Sequence, residues 1–174
     1  MSIYEKAFPS SAKTDAILVV DGKKLHVNKA FLSYNSDYFN SLFNSEFEEK
    51  SMAEIPIREV EFKDFATLLS LVHATPIKPT KDQFEKLIEL SDRFMLPGAK
   101  NRLESFMMTS NLNDVDKVIL GGKYELDELM LYGVEEFKKS GEGSWIITND
   151  NKFKSLPEKA QLKIALLILK MSFI

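Results

Sequence analysis

An Asp21-Gly22 pair separates two apolar runs, DAILVV at 15–20 and KLHV at 24–27. A two-residue hairpin loop needs positive φ at both central positions, and DG between apolar runs is the strongest short-range signal for one. That commits this part of the chain to a small antiparallel β element. NKAFLSYN (28–35) then reads as a short helix. Ser36 can cap the next one, in which Phe39, Leu42 and Phe43 recur at i, i+3 and i+4 as a buried stripe. AEIPI (53–57) reads as a strand, and its Pro56 favours a sheet edge because proline donates no ladder hydrogen bond.

From Glu61 the spacing turns helical and stays so. Phe65, Leu68, Leu69 and Val72 make one stripe, ending before Pro76 and Pro79. Thr80-Lys-Asp-Gln83 has the form of a capping box, ahead of Phe84, Leu87, Ile88 and Ser91 on one face. Pro97-Gly98 is expected to break the chain, with KNRLESFMM continuing as a further helix. Asn113 is expected to cap a helix through Leu120 that Gly121-Gly122 interrupts, and LDELMLYGVEEF follows on helical spacing. SGEGS (140–144) reads as a linker, and Pro157 suits the first turn of a terminal helix. The order is a small hairpin with paired helices, then helices almost to the end. It predicts an α+β fold giving way to an all-α C-terminal extension.

The bulk properties remove several function classes. With 44% hydrophobic and 28% charged residues, the 174-residue chain reads as an ordinary soluble globular protein. A net charge of -3 offers no basic field to hold phosphates, so nucleic acid is not an expected partner. There are no cysteines, which excludes disulfides, thiolate zinc sites and cysteine nucleophiles and fits a reducing intracellular compartment. MSIYEKAFPSSAK lacks the apolar core of a signal peptide. IALLILKMSFI is interrupted by Lys170 and too short to span a bilayer, so a buried final helix is expected and no membrane partner.

His26 and His73 lie far apart, and neither has a second ligand at metal-binding spacing. Gly121-Gly122 follows no strand and is in the wrong context for a phosphate loop. Asp114, Asp116, Asp127 and Glu128 sit where helix dipoles favour acids, and nothing sets two carboxylates apart for acid–base work. The expectation is a non-enzyme with no catalytic residue, cofactor or metal.

Phe47 is the odd residue. It stands among Glu46, Glu48 and Glu49, in a link between the apolar helical run and the AEIPI strand. Two readings are open: the ring folds back onto Leu42 and Phe43 as a staple, or it is offered to a partner.

The stretch DAILVVDGKKLHVNKAFLSYNSDYFNSLFNSEF resembles the BTB (POZ) domain, with Asp15, Lys29, Leu32, Ser36, Tyr38 and Phe39 in the family's register. LIELSDRFMLPGAKNRLESFM (87–107) resembles the family's later helix pair, so the likeness covers roughly 15–108. The helices of about 110–139 resemble a 3-box or the start of a BACK region, and the whole is most similar to the BTB part of MATH-BTB proteins, although no MATH domain is present in these residues. The expected organisation is an N-terminal segment (1–14) available for a dimer contact, a BTB/POZ domain (15–108), 3-box/BACK-like helices (109–139), and a linker with a C-terminal helix (140–174). Three positions depart from the family pattern: Asn28 stands for a histidine, Asn35 for an arginine, and His73-Ala74 where Tyr-Thr-Gly is common. In BTB transcription factors that arginine and the early aspartate form a charged pocket tied to corepressor binding. With Asp15 kept and Asn35 neutral the pair is broken, which weakens a transcriptional reading.

The resemblance implies a homodimeric adaptor that brings a substrate protein to a cullin 3–RING ubiquitin ligase. Phe47-Glu48-Glu49 falls where cullin-recruiting members carry a hydrophobic-x-Glu motif, which makes Phe47 a docking residue and Glu49 a hydrogen-bond acceptor holding the loop. Burying such a ring is worth about 2–3 kcal/mol. Tyr38, Ser41, Asn44, Phe94, Met95 and Leu96 are the implied further contacts to the cullin 3 N-terminal domain. Tyr4, Phe8, Phe31 and Leu32 are the implied homodimer contacts. The alternative is a BTB self-assembly scaffold or transcription-related module that binds no cullin. The expected location is intracellular, in cytoplasm, nucleus or both. Substrate contacts would fall on residues 110–174, with Trp145 and IALLILKMSFI as first candidates against the plainer reading of core packing.

Overall fold

A computed structural model describes residues 2–44, 54–141 and 145–172, and the chain divides into two compact units, 1–103 and 104–174. The first unit runs α1 (Ile3–Ala7), β1 (Ala16–Val20), β2 (Lys23–Val27), α2 (Lys29–Asn35), α3 (Asp37–Asn44), β3 (Glu54–Pro56), α4 (Phe62–Ser70), a 3-10 turn (Lys81–Gln83), α5 (Phe84–Arg93) and the start of α6 (Pro97–Met108). Asp21 and Gly22 take φ of 50° and 71° and close the β1–β2 hairpin, as the DG pair requires. Leu18 lies opposite Leu25 on one side and, in a parallel pairing, beside Ile55 on the other. All three are buried, so one apolar row crosses the sheet and fixes its register. The strand order β2-β1-β3 puts β3 at an edge, where the missing N–H of Pro56 is tolerated.

The turn also starts a helix. Asp21 Oδ2 accepts from the Phe62 N–H at 2.9 Å, supplying the cap that Glu61 does not give α4. Asn28 caps α2 by accepting from the Phe31 N–H (2.8 Å), and its amide donates to the Lys13 carbonyl (2.8 Å). Gln83 Oε1 accepts from the Thr80 N–H at 3.1 Å while Nε2 donates to Asp64, so the expected box also ties the 3-10 turn to α4. The predicted break at Pro97-Gly98 is not there. Both residues lie inside the first turn of α6, where proline's lacking N–H is an orphan position anyway. The chain turns earlier, at Met95, whose φ is 48°.

The second unit holds the rest of α6, then α7 (Asp114–Tyr124), α8 (Asp127–Lys139), α9 (Trp145–Asn149), α10 (Asn151–Lys154) and α11 (Glu158–Ser172). Its core gathers Val118, Met130, Val134, Ile147, Ile164 and Ile168 with their neighbours. Here too a predicted interruption is absent: α7 runs straight through Gly121-Gly122. The two glycines are contact points. A Cβ on Gly121 would lie 2.6 Å from Met130 Cβ, and one on Gly122 would lie 2.5 Å from Ile164 Cδ1. The helix ends instead at Glu125, whose φ is 57°, and Leu126 N–H donates to the Gly121 carbonyl at 2.9 Å. Glu104 is buried and accepts from the Leu129 N–H at 2.9 Å near the start of α8. Lys117 is buried beside Asp114 (3.2 Å), with its ammonium 5.0 Å from the centre of the Tyr132 ring. No helix among the described residues is long and apolar enough to cross a membrane.

Two glycine substitutions of the same kind should differ in effect. Gly121→Ala places a methyl group against the backbone of Met130 and should destabilise the protein by about 1–3 kcal/mol. Gly98→Ala meets nothing within 4 Å and should be neutral or stabilising by a few tenths of a kcal/mol, roughly the propensity difference near a helix end. Chemical denaturation of both variants checks this.

Candidate functional site

The candidate face is built around the turn between α5 and α6. Phe94 is fully buried: its ring stacks on Phe39 at 5.9 Å and meets Phe65 edge-on at 5.1 Å and Tyr38 edge-on at 5.0 Å. Such edge-to-face pairs add about 0.5–1.5 kcal/mol beyond area burial. The Ser36 hydroxyl donates to the Phe94 carbonyl at 2.7 Å and accepts from the Phe39 N–H at 3.1 Å. One buried hydroxyl thus caps α3 and ties it to a carbonyl 58 residues along the chain. Arg93 completes the turn by donating to the carbonyls of Arg58 and Glu59 (3.1 and 3.0 Å). Leu96 is buried, so of the three bend residues only Met95 points outward, 56% exposed.

The predicted contacts therefore divide. Tyr38, Ser41 and Asn44 follow one another at i, i+3 and i+6 on α3, and Ser41 and Asn44 are exposed while Tyr38 is half-buried against Phe94. Met95 joins them through the Ser36 tie. Phe94 and Leu96 do not: each is buried in its own subunit, so their expected contact with a partner is corrected to a supporting role. Phe47 and Glu49, with Glu46 and Glu48, lie outside the described residues. Tyr34, 90% exposed on α2, was not singled out by sequence reasoning. Its helical spacing gave no sign that the short α2 would leave it uncovered.

The expected dimer contacts divide in the same way. Phe8 and Leu32 are buried within the subunit, which corrects their assignment to a two-fold interface, since a covered side chain has no area left to bury. Phe8 packs edge-on against His73 at 5.5 Å, and its carbonyl accepts from the His26 N–H, so the N-terminal segment lies along β2. Tyr4 sits edge-on to Phe62 at 6.2 Å but keeps part of its surface, as does Phe31, whose ring lies 4.8 Å from His73. Exposed Ile3 beside Tyr4 was missed. The retained Asp15 and the departing Asn35 each have a local partner: Asp15 Oδ1 accepts from the Lys29 N–H (2.7 Å), and Asn35 Nδ2 donates to the Phe31 carbonyl (2.9 Å).

No cluster of three or more metal-ligating side chains occurs among the described residues. His73 is half-buried between the two phenylalanine rings, and that burial holds its imidazole pKa below the ordinary value.

The BTB/POZ domain model matches residues 4–111, well over half of the chain. The chain belongs to the BTB/POZ family. BTB/POZ domains are interaction modules, and the three-stranded sheet wrapped by short helices is this family's fold. The chain is 31% identical over 163 residues to a BTB/POZ domain-containing protein of Caenorhabditis elegans, a match that covers 92% of this chain and 51% of that protein. It is also 31% identical to BTB and MATH domain-containing protein 36 of the same organism, over 85% of this chain and 46% of that one. A viral relative, Kelch repeat and BTB domain-containing protein 1 of Ectromelia virus, is 22% identical over 86% of this chain and 26% of its own length. The chain thus spans about half the length, or less, of the curated relatives it matches. Among solved structures, the BTB domain of human Gigaxonin is similar at 22% identity, covering 54% of this chain and 77% of that one with a TM-score of 0.46.

Two measurements bear on this geometry. Ser36→Ala removes a helix cap and leaves a buried carbonyl unpaired, and should cost about 1–3 kcal/mol in chemical denaturation. His73 has a folded-state pKa below about 6.5, its unfolded value, so the unfolded chain binds the extra proton first as pH falls. Its contribution is fully present above that value and is lost as pH drops through it towards the folded pKa. Thermal melts of the wild type should therefore fall between neutral and mildly acidic pH more steeply than those of His73→Gln.

Proposed function

We propose that this chain is a homodimeric adaptor that presents a substrate protein to a cullin 3–RING ubiquitin ligase inside the cell, in cytoplasm, nucleus or both. The observation that carries the reading is the outward set of Tyr38, Ser41, Asn44 and Met95, held by the Ser36–Phe94 tie at the positions where the family resemblance expects a cullin. The acidic link with Phe47 and Glu49 follows directly on α3 in sequence and carries the hydrophobic-x-Glu pattern. The BTB and MATH relatives support an adaptor role, in which the domain does no chemistry itself. It would hold a target near a ubiquitin-loaded enzyme, and pairing of two copies would raise the effective concentration. Tyr4, Ile3 and Phe31 keep surface for that pairing. The helices beyond residue 108 would extend the adaptor in the manner of a 3-box or BACK region.

Titration of purified cullin 3 N-terminal domain by calorimetry should give sub-micromolar binding to the wild type. Phe47→Ala with Glu49→Lys should abolish it. Met95→Asn keeps a residue suited to positive φ while replacing the thioether with a shorter, polar carboxamide, and should weaken binding several-fold without loss of stability. Equal binding by the double variant would reject the docking site, and no binding by the wild type would leave a self-assembling scaffold. Light scattering should report twice the chain mass of 19.9 kDa, and a clean monomer at micromolar concentration would remove the dimer.

A further inference from the structure

The terminal helix was expected to be buried, and only one side of it is. Ile164 and Ile168 of α11 face the core, while Leu162, Leu166 and Leu169 are 58%, 49% and 55% exposed. Those leucines stand at i, i+4 and i+7 and form one continuous apolar stripe. Helical spacing places Lys159, Lys163 and Lys170 along one border of it, whereas the opposite border carries Glu158 as its charged residue. Lys159 pairs with Glu125 at 3.0 Å and Lys163 with Asp127, both in exposed geometry that a competing carboxylate can replace. Lys170 has no ion pair among the described residues.

We propose that this stripe is the docking face for an amphipathic helix of a partner protein whose apolar side is bordered by carboxylates. Three half-exposed leucines at helical spacing suit the i, i+3, i+4 anchors of such a helix. Glu125 and Asp127 already offset Lys159 and Lys163 on this border, so its net positive charge, centred on Lys170, selects the sign of the partner's border. A second copy of this chain packed antiparallel fits less well. In a two-fold antiparallel pair of α11 helices, like borders meet, and the lysine row of one copy would face that of the other. The inference concerns the second unit alone and does not rest on the ligase reading.

The test uses the full chain and two synthetic peptides of about 18 residues, long enough to hold a helix in water. Both carry leucines at i, i+4 and i+7, with glutamates at the border of one and lysines at the border of the other. Fluorescence anisotropy should show that the glutamate peptide binds at least about tenfold tighter than the lysine peptide. Leu166→Asp should weaken it about tenfold or more, the loss expected when a leucine no longer becomes covered. Lys170→Glu should narrow the preference between peptides while leaving the thermal melt unchanged, which separates a docking effect from misfolding. Equal binding of both peptides, or of neither, overturns the proposal. So does a wild-type dimer that Leu166→Asp dissociates in sedimentation, which would make the occupant a second copy. Co-sedimentation with phosphatidylserine vesicles that Leu166→Asp abolishes would equally overturn it, in favour of a lipid surface.

Discussion

The first unit depends on one buried hydroxyl. Ser36 Oγ binds the Phe94 carbonyl and the Phe39 N–H at once, joining the α2–α3 junction to the α5–α6 bend. A carbonyl at the end of a helix has no partner within that helix, and burial makes an unmet acceptor costly. The aromatic cluster of Phe39, Phe65 and Phe94 can close only because that carbonyl is met from the other side. Tyr38 then packs on the covered ring, and the outward face of α3 keeps its place relative to Met95.

The second unit rests on close approach rather than on polar ties. Gly121 and Gly122 remove the side chains that would otherwise hold α7 away from Met130 and Ile164. Gly133 does the same on α8, where a Cβ would stand 2.9 Å from Val118 Cγ2. Each glycine lowers helix propensity, by about 1 kcal/mol relative to alanine, and packing at close range offsets that loss. The left-handed Glu125 then reverses the chain without a glycine, stabilised by the Leu126 bond back to Gly121.

Local patterns carried much of this in the sequence. The DG hairpin, the Pro56 edge strand, the Ser36 and Asn113 caps and the Thr80–Gln83 box are short-range features, and all take the expected form. What misled was the meaning of glycine and proline out of context. Gly121-Gly122 reads as a breaker because propensity is local, whereas the reason for these residues is the close approach of two other helices, at Met130 and at Ile164. Burial was similarly hidden. Phe94, Met95 and Leu96 are three adjacent apolar residues, and nothing in their order tells which one a left-handed bend will turn out. Phe8 reads as a tail residue until His73 and the β2 edge are brought beside it. The family likeness rests on side chains such as Asp15, Ser36 and Phe39, which are visible in sequence because each has a fixed local task.

Met95 carries a consequence of its own. A residue with a Cβ at φ 48° costs roughly 1–2 kcal/mol relative to ordinary backbone, and here the strain is held by buried neighbours on both sides. Connections between helices usually tolerate changes of length, since their ends are loosely coupled. This one cannot drift. Adding or removing a single residue would carry Phe94 or Leu96 to the outside and the thioether inward, so the spacing of the bend is as constrained as any core position.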